Sequence, residues 1–251
     1  MQSISADSSA PDGLLPPQLF LVATPIGNLK DITLRAIETL RAATDIACED
    51  TRRARTLLAA LGIPAPSRFI QCADPTEARA AEHICDAIRA GRAVVLITDA
   101  GMPVISDPGY RVVQAVLDAG LQVTVIPGPT APAMAFAASA IGGSRYCFLG
   151  FLPKKIAAAQ TLLMKYSQLP DALIFFEPAR RVARLLSAVR DTLGDRPVCI
   201  GREMTKRFEE FIRGSLSDVA DRIADRTLKG ECTVVIGGRQ RKSATGRRSG
   251  V

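Results

Sequence analysis

Short apolar runs alternate with helical periodicities through the first half of the chain. Leu19–Thr24, Asp45–Cys48, Arg68–Gln71, Ala93–Thr98 and Val123–Ile126 read as strands, and Leu34–Ala42, Arg53–Leu61, Glu77–Ala90 and Arg111–Ala119 as the helices between them. A run such as Val94–Thr98 is apolar without alternation, which suits a strand covered on both faces. Strand–helix–strand repetition predicts a mostly parallel sheet with helices on both sides. Gly62, Gly91 and Gly120 follow the second, third and fourth helices as C-terminal stops.

The pattern changes after a small-residue helix at Ala131–Ile141. Strand-like runs follow at Tyr146–Leu152, Leu173–Phe176, Val198–Gly201, Phe208–Gly214 and Cys232–Ile236, with helices near Ala157–Ser167, Val182–Leu193 and Leu216–Ala224. The runs at Val198 and Phe208 have no helix between them, so a hairpin and a mixed sheet are expected. The fold class is α/β, with two α/β domains, 19–128 and 129–238, meeting near "PGPTAPA". Residues 1–18 and 239–251 read as disordered ends, the second strongly basic.

Composition narrows the class. The 251 residues are 47% hydrophobic and 23% charged, the balance of a globular chain long enough for two cores. The first residues lack a basic start and a continuous apolar stretch, so no signal peptide is read there. The longest apolar stretch, Ala131–Ile141, is interrupted by Pro132 and falls short of the ~20 residues of a membrane span. Cys48, Cys72, Cys85, Cys147, Cys199 and Cys232 are scattered without a C-x-x-C pair, which is cytoplasmic usage and points to packing before metal or disulfide.

The net charge of +7 is unevenly placed. From Arg239 onward the chain carries Arg239, Arg241, Lys242, Arg247 and Arg248 and no acid. Residues 145–190 set Arg145, Lys154, Lys155, Lys165, Arg180, Arg181, Arg184 and Arg190 against only Asp171 and Glu177. Such clustering is either the footprint of a polyanion partner or a solvated helix face with a basic tail.

"VVLITDAGMPVISDPG", Val94–Gly109, ends a strand in a loop rich in glycine and proline and holding Asp99 and Asp107 but no Lys or Arg. Ligands of open α/β sheets sit beyond the carboxyl ends of the strands. The chain has no G-x-G-x-x-G and no phosphate loop, and acids repel a phosphate, so a dinucleotide or triphosphate is disfavoured. Acids and carbonyls suit hydroxyls, an amino group or a cationic centre, all present in S-adenosylmethionine. A purely structural loop stays open, with Asp99 as a turn former and Asp107 as a helix cap.

Eight blocks stand in order: "LVATPIGNLKDIT", "CEDTRR", "ITDAGMPVISDPGYRVV", "VIPGPTA", "GFLPKK", "FFEPARR", "GREMTKRFEE" and "KGECTVVIGG". Together they cover 19–238 and resemble the small-subunit ribosomal RNA methyltransferases of the tetrapyrrole methylase fold, the branch that methylates a ribose 2'-hydroxyl. The resemblance implies S-adenosylmethionine as cofactor, held in the cleft between two α/β domains. It also implies a homodimer without membrane association, and a decoding-centre cytidine of 16S rRNA, free or in the small subunit, as target. A porphyrin-precursor methylase of the same fold is the rival enzyme. Such enzymes carry a Gly-x-Gly-Pro-Gly-Asp-like first loop where this chain has "TPIGNLKD". A non-enzymatic RNA-binding assembly factor is the other alternative, and it would need no cofactor loops.

Under the resemblance, Thr24, Pro25 and Gly27, then Asp99, Ala100, Gly101, Pro103 and Ser106, then Pro127, Gly128, Pro129 and Thr130 wall the cofactor. Asp31 is read as a cap for the helix that follows the first of these loops. Arg52, Arg53, Lys154, Lys155, Arg180 and Arg181 are the candidate rRNA contacts, with helix capping and salt bridges as the plainer alternatives. Glu203 and Lys206 stand at a strand end, either as a surface ion pair or as the base and cation that deprotonation of a hydroxyl requires. Methyl transfer from a sulfonium needs no metal. The family's His-x-His-Asn-Glu loop is replaced here by "QCADPTEARA", which leaves Glu77 and Asp74 as further candidates for the base. His83, the only histidine, falls inside a helical pattern and is read as structural.

Overall fold

The computed structural model describes residues 14–239. Of the stretches read as disordered, 1–18 and 239–251, residues 1–13 and 240–251 lie outside the described residues, and most of the basic tail with them. Leu15 packs against the core and Gln18 donates from Nε2 to Thr124 Oγ1 (2.9 Å), so the chain enters its first strand under restraint. Two compact units, Met1–Thr130 and Ala131–Val251, each carry one sheet.

The first unit runs β1 (Leu19–Val22), α1 (Leu34–Ala42), β2 (Asp45–Cys48), α2 (Thr51–Ala60), β3 (Arg68–Gln71), α3 (Glu77–Arg89), β4 (Val94–Leu96), α4 (Tyr110–Asp118) and β5 (Val123–Ile126). The strands are all parallel in the order β3-β2-β4-β1-β5. Alternate residues of β1 show why its sequence is apolar throughout. Leu19 and Leu21 enter the core that holds residues of α3 and α4, whereas Phe20 and Val22 enter the core that holds residues of α1 and α2. Each such side chain fully withdrawn from water contributes about 1.5–3 kcal/mol. The strand order reverses between β4 and β1: the connection from β1 leads to β2 and that from β4 leads to β5. That reversal opens a crevice at the carboxyl edge.

Local signals account for most helix starts. Asp50 accepts from Arg52 N (2.8 Å) and caps α2. Asp31 does not cap α1. It ends a short 3-10 turn, Leu29–Asp31, and the cap is Thr33, whose hydroxyl accepts from Ala36 N (3.1 Å). At the amino edge of the sheet Asp45 is wholly buried, with Arg92 Nη1 3.2 Å from its carboxylate.

The second unit comprises α5 (Ala131–Ser139), β6 (Tyr146–Phe151), α6 (Ile156–Lys165), β7 (Ala172–Pro178), α7 (Ala179–Leu193), β8 (Pro197–Arg202), β9 (Glu210–Ser215), α8 (Leu216–Ile223) and β10 (Glu231–Ile236). Its sheet has the order β6-β7-β10-β8-β9; only β6 and β7 pair in parallel, and β8 and β9 form the expected hairpin. Leu173 and Phe175 of β7 enter the core shared with α6, α7 and α8, whereas Ala172 and Ile174 face α5. Helix α7 starts at Ala179, three residues before the periodicity suggests, because Pro178 supplies no amide and the turn follows it directly.

Candidate functional site

In the first unit the loops after β1, β4 and β5 converge. Thr24 and Gly101 form an antiparallel bridge: Thr24 N donates to Gly101 O (2.8 Å) and Gly101 N to Thr24 O (3.0 Å). The Thr24 hydroxyl donates to Thr98 O (3.1 Å). Gly101 has φ +89°, a backbone state open to glycine, and a Cβ there would stand 3.5 Å from Ile26 and 3.8 Å from Pro129 O. Its glycine is therefore demanded by backbone conformation, whatever the loop binds. Gly128 packs against β1 so closely that a Cβ would lie 2.8 Å from Ala23 Cβ. Of the candidate cofactor residues, Thr24, Gly101 and Pro103 are buried, Ala100, Ser106, Pro127 and Gly27 are exposed, and Pro25, Asp99, Gly128, Pro129 and Thr130 lie between.

Strain and negative charge concentrate in the same place. Val104 (φ +76°) and Ser106 (φ +63°) both occupy the left-handed region, which a β-branched residue such as Val104 rarely enters. Strained backbone of this kind persists only where the surroundings enforce it. Burial pushes the Asp107 carboxyl up to about 6, reinforced by Glu49, Asp99 and Asp74 and opposed by the Thr98 hydroxyl. Burial, Asp99 and Asp74 also raise Glu49. A small cavity of about 160 Å³ opens here, lined among others by Thr24, Gly27, Cys48, Arg53, Thr98 and Asp99. Burial lifts the Cys48 thiol to about 12, with Asp99 and Asp50 adding to it, so no thiolate nucleophile stands at neutral pH.

Arg52 and Arg53 are both engaged by acids. Arg52 chelates Asp50 through Nε (3.2 Å) and Nη2 (2.8 Å), and these bonds hold the Asp50 carboxyl at about 2. Arg53 Nη1 lies 3.0 Å from Asp99. Glu77, read as a further candidate for the base, is buried, and its Oε1 accepts from Gly109 N (2.9 Å) and Arg111 N (2.8 Å). It caps α4, whose own cap position is a glycine with no side chain. His83 lies within α3.

The candidates of the second unit share one sheet edge. Because β6 and β7 are parallel and β10 runs antiparallel to both β7 and β8, the carboxyl ends of β6, β7 and β8 point the same way. Lys154 and Lys155 follow β6, Arg180 and Arg181 follow β7, and Glu203 and Lys206 follow β8. Lys154, Lys155 and Arg180 are exposed and make no ion pair among the described residues. Arg181 is half-buried: its Nη2 donates to Pro153 O (3.2 Å) and Lys154 O (3.1 Å), and its Nε lies 3.2 Å from Glu177 Oε1. Glu177, 1% exposed, has no hydrogen-bond partner on either oxygen among the described residues. Burial raises its carboxyl, against the charges of Arg181 and Arg180. The pair thus ties the loop after β6 to the start of α7, a role that "FFEPARR" does not reveal because it depends on the neighbouring strand.

Glu203 Oε1 accepts from Lys206 Nζ (3.0 Å) and Glu231 N (3.1 Å), and its side chain lies over Gly230, where a Cβ would collide with that oxygen. Glu203 (φ +47°) and Thr205 (φ +65°) are again in the left-handed region. Burial pushes the Glu203 carboxyl upward, but the hydrogen bonds from Lys206 and the Glu231 amide, with the charges of Lys206 and Arg202, outweigh it and hold the group below the usual carboxylate range. Among the described residues no group of His, Cys, Asp and Glu has the spacing to hold a metal ion, and all six cysteines are free thiols.

Residues 18–220 match the family described as Tetrapyrrole (Corrin/Porphyrin) Methylases. The chain is 46% identical over 231 residues to the ribosomal RNA small subunit methyltransferase I of Mesorhizobium japonicum, covering 91% of this chain and 78% of the relative. It is 39% identical over 223 residues to the protein of that name from Thermotoga maritima, covering 89% of this chain and 99% of the other. The fold is similar to the crystal structure of the methyltransferase CobJ, with TM-score 0.66 and 20% identity over 93% of this chain and 97% of that one. It is also similar to the uroporphyrin-III C-methyltransferase of Thermus thermophilus complexed with S-adenosyl homocysteine, with TM-score 0.60 and 18% identity over 88% of this chain and 97% of the other. With more than a third of its residues shared with these relatives over nine-tenths of its length, and with both sheets in place, the chain belongs to the ribosomal RNA small subunit methyltransferase I family of the tetrapyrrole methylases.

Proposed function

We propose that the protein transfers a methyl group from S-adenosylmethionine to the ribose 2'-hydroxyl of a decoding-centre cytidine in 16S rRNA. The observation that carries this reading is its 46% identity, along nearly the whole chain, to a relative named as a small-subunit rRNA methyltransferase. The first loop supports RNA over a porphyrin precursor, since "TPIGNLKD" departs from the glycine-rich loop of tetrapyrrole enzymes. The cofactor loops themselves argue against a mere assembly factor.

The residues present fit the cofactor. Bridged loop backbone at Thr24 and Gly101 offers a rigid wall, and Asp99, Asp107 and Glu49 give a negative environment suited to hydroxyls and a cationic sulfur. Pro127, Gly128, Pro129 and Thr130 continue that wall. When bound, S-adenosylmethionine supplies a methyl group already activated on a sulfonium. In this reading Glu203 accepts the hydroxyl proton and Lys206 stabilises the developing oxyanion. Lys154, Lys155 and Arg180 contact phosphate, whereas Arg52, Arg53 and Arg181 hold acids and backbone in place. The protein acts on the rRNA or the assembled small subunit, as a homodimer in the cytoplasm; no described helix is long and apolar enough to cross a membrane.

Mass-spectrometric mapping of ribose methylation in small-subunit rRNA, with and without the protein, tests the reading. A single cytidine gaining one methyl on its ribose is the expected result. Calorimetry adds a check, with S-adenosylmethionine binding and NAD failing to bind. Methylation of a porphyrin precursor instead of RNA would overturn the assignment.

A further inference from the structure

Phe151 closes β6 on the edge of the second sheet, and it is 60% exposed. A single exposed ring is ordinary by itself; this one is set apart by how it is aimed and backed. Its orientation is set by the backbone. The β6–β7 register shifts between Phe148 and Phe151, and Gly150 within that irregularity has φ +65°. A bulge of this kind re-aims the side chain that follows it. The ring is also braced from behind: Phe151 and Phe176 have centroids 5.2 Å apart, and Phe148 meets Phe176 edge-on at 4.9 Å. One side of Phe151 is therefore packed and the other is open.

The open ring sits at the head of a basic turn. Lys154 and Lys155 follow it within four residues, and Arg180 stands in the first turn of α7, next to Arg181, which reaches this turn. Arg181, backed by buried Glu177, holds the carbonyls of Pro153 and Lys154 and keeps this turn in one conformation. An exposed, rigidly backed aromatic ring followed by cations that make no ion pair among the described residues matches the chemistry of a single-stranded nucleic acid, whose bases stack while its phosphates take the charge.

We propose that Phe151 is a stacking platform for one unpaired base of the substrate RNA, with Lys154, Lys155 and Arg180 on the neighbouring phosphates. The proposal rests on the rRNA reading above and adds to it the element that grips an unpaired nucleotide. Glu177 and Arg181 are positioning residues for this platform. They fix the turn without touching RNA.

The test uses the full chain and single-stranded oligonucleotides of the target rRNA region carrying 2-aminopurine at successive positions, with S-adenosylhomocysteine for binding over a series of salt concentrations and S-adenosylmethionine for methylation. The wild-type protein should change the 2-aminopurine fluorescence strongly at one position. Phe151→Ala should remove that signal and weaken RNA binding by about 5- to 150-fold, the range of one lost stacked base. Phe151→Trp should keep both, and Phe151→Leu, apolar but without a π face, should behave as alanine. Lys154→Ala should weaken binding and flatten its salt dependence while keeping the position of the fluorescence change. Wild-type methylation and binding with no effect of Phe151→Ala or Phe151→Leu would overturn the platform and leave the rRNA reading standing. A wild-type protein that neither binds nor methylates RNA would overturn both. Conversion of a dimer to monomers by Phe151→Ala, at unchanged RNA affinity, would assign the ring to a second copy of the chain and overturn the proposal.

Discussion

Glu77, the first residue of α3, caps α4: its Oε1 accepts the amides of Gly109 (2.9 Å) and Arg111 (2.8 Å), 32 and 34 residues further along the sequence. A buried carboxylate on two orphan amides secures the strained loop where it meets the helix. Glu77→Ala should cost about 1–3 kcal/mol in urea unfolding, because the amides lose a charged acceptor where water is scarce. Glu77→Gln should cost less and retain methylation in the folded protein. A large loss of single-turnover rate in a stable Glu77→Gln protein would restore it as the base.

The bridge between Thr24 and Gly101 makes a second prediction. Gly101→Ala forces a side chain into φ +89° at a cost of about 1–3 kcal/mol, although the nearest atoms leave it room. Gly128→Ala acts differently, since its backbone is ordinary but its new methyl would meet Ala23 at 2.8 Å. Both should weaken S-adenosylmethionine binding by calorimetry. In circular dichroism the Gly101 variant should keep the fold.

Asp107 should make stability depend on pH. Its carboxyl is raised to about 6, so the folded state holds the proton more tightly than the unfolded chain. The stability it confers is complete below its ordinary value near 3.8 and declines as pH rises through about 6. Asp107→Asn should therefore match the wild type at pH 4 and exceed it at pH 8 in unfolding free energy. The same variant should bind S-adenosylmethionine more weakly at pH 8, where the wild type offers a charge, and almost equally at pH 5.

Glu203 and Lys206 carry the chemistry in the proposed reaction. Glu203→Gln and Lys206→Met should each lower single-turnover methylation by roughly 10²-fold or more and leave cofactor affinity nearly unchanged. The Glu203 carboxyl lies below its usual range, so its contribution to stability is present above the ordinary carboxylate value and lost as pH falls through the lowered one. The acid limb of the pH–rate profile should accordingly fall below the normal carboxylate range. Unchanged rates in Glu203→Gln would reduce the pair to a clasp between the turns at residues 203–206 and 229–231.

Much of this architecture can be read along the chain, and the reason is periodicity. Continuous apolar runs at Leu19–Val22 and Val94–Leu96 announce strands buried on both faces, and the structure places both in a parallel sheet. Asp50 announces a helix start, because a cap acts over two residues. Eight ordered blocks announce the family. Asp31 misleads for the same local reason: a capping residue two positions before Thr33 looks equivalent until the intervening 3-10 turn is seen.

What the one-dimensional pattern does not carry are relations between distant segments. Glu77 reads as a further candidate for the base until folding brings Gly109 to it, and the pairing of Gly101 with the backbone of Thr24 is not visible in either segment alone. Arg52, Arg53 and Arg181 read as candidate phosphate contacts with salt bridges as the plainer alternative; the fold pairs them with Asp50, Asp99 and Glu177, of which only Asp99 is distant in sequence. The bulge that turns Phe151 outward depends on its pairing with β7. Local propensity and burial act through neighbours three or four residues away, so sequence encodes them openly. Charge compensation, long-range capping and side-chain aim depend on which strands lie side by side, and that is settled when the chain has packed.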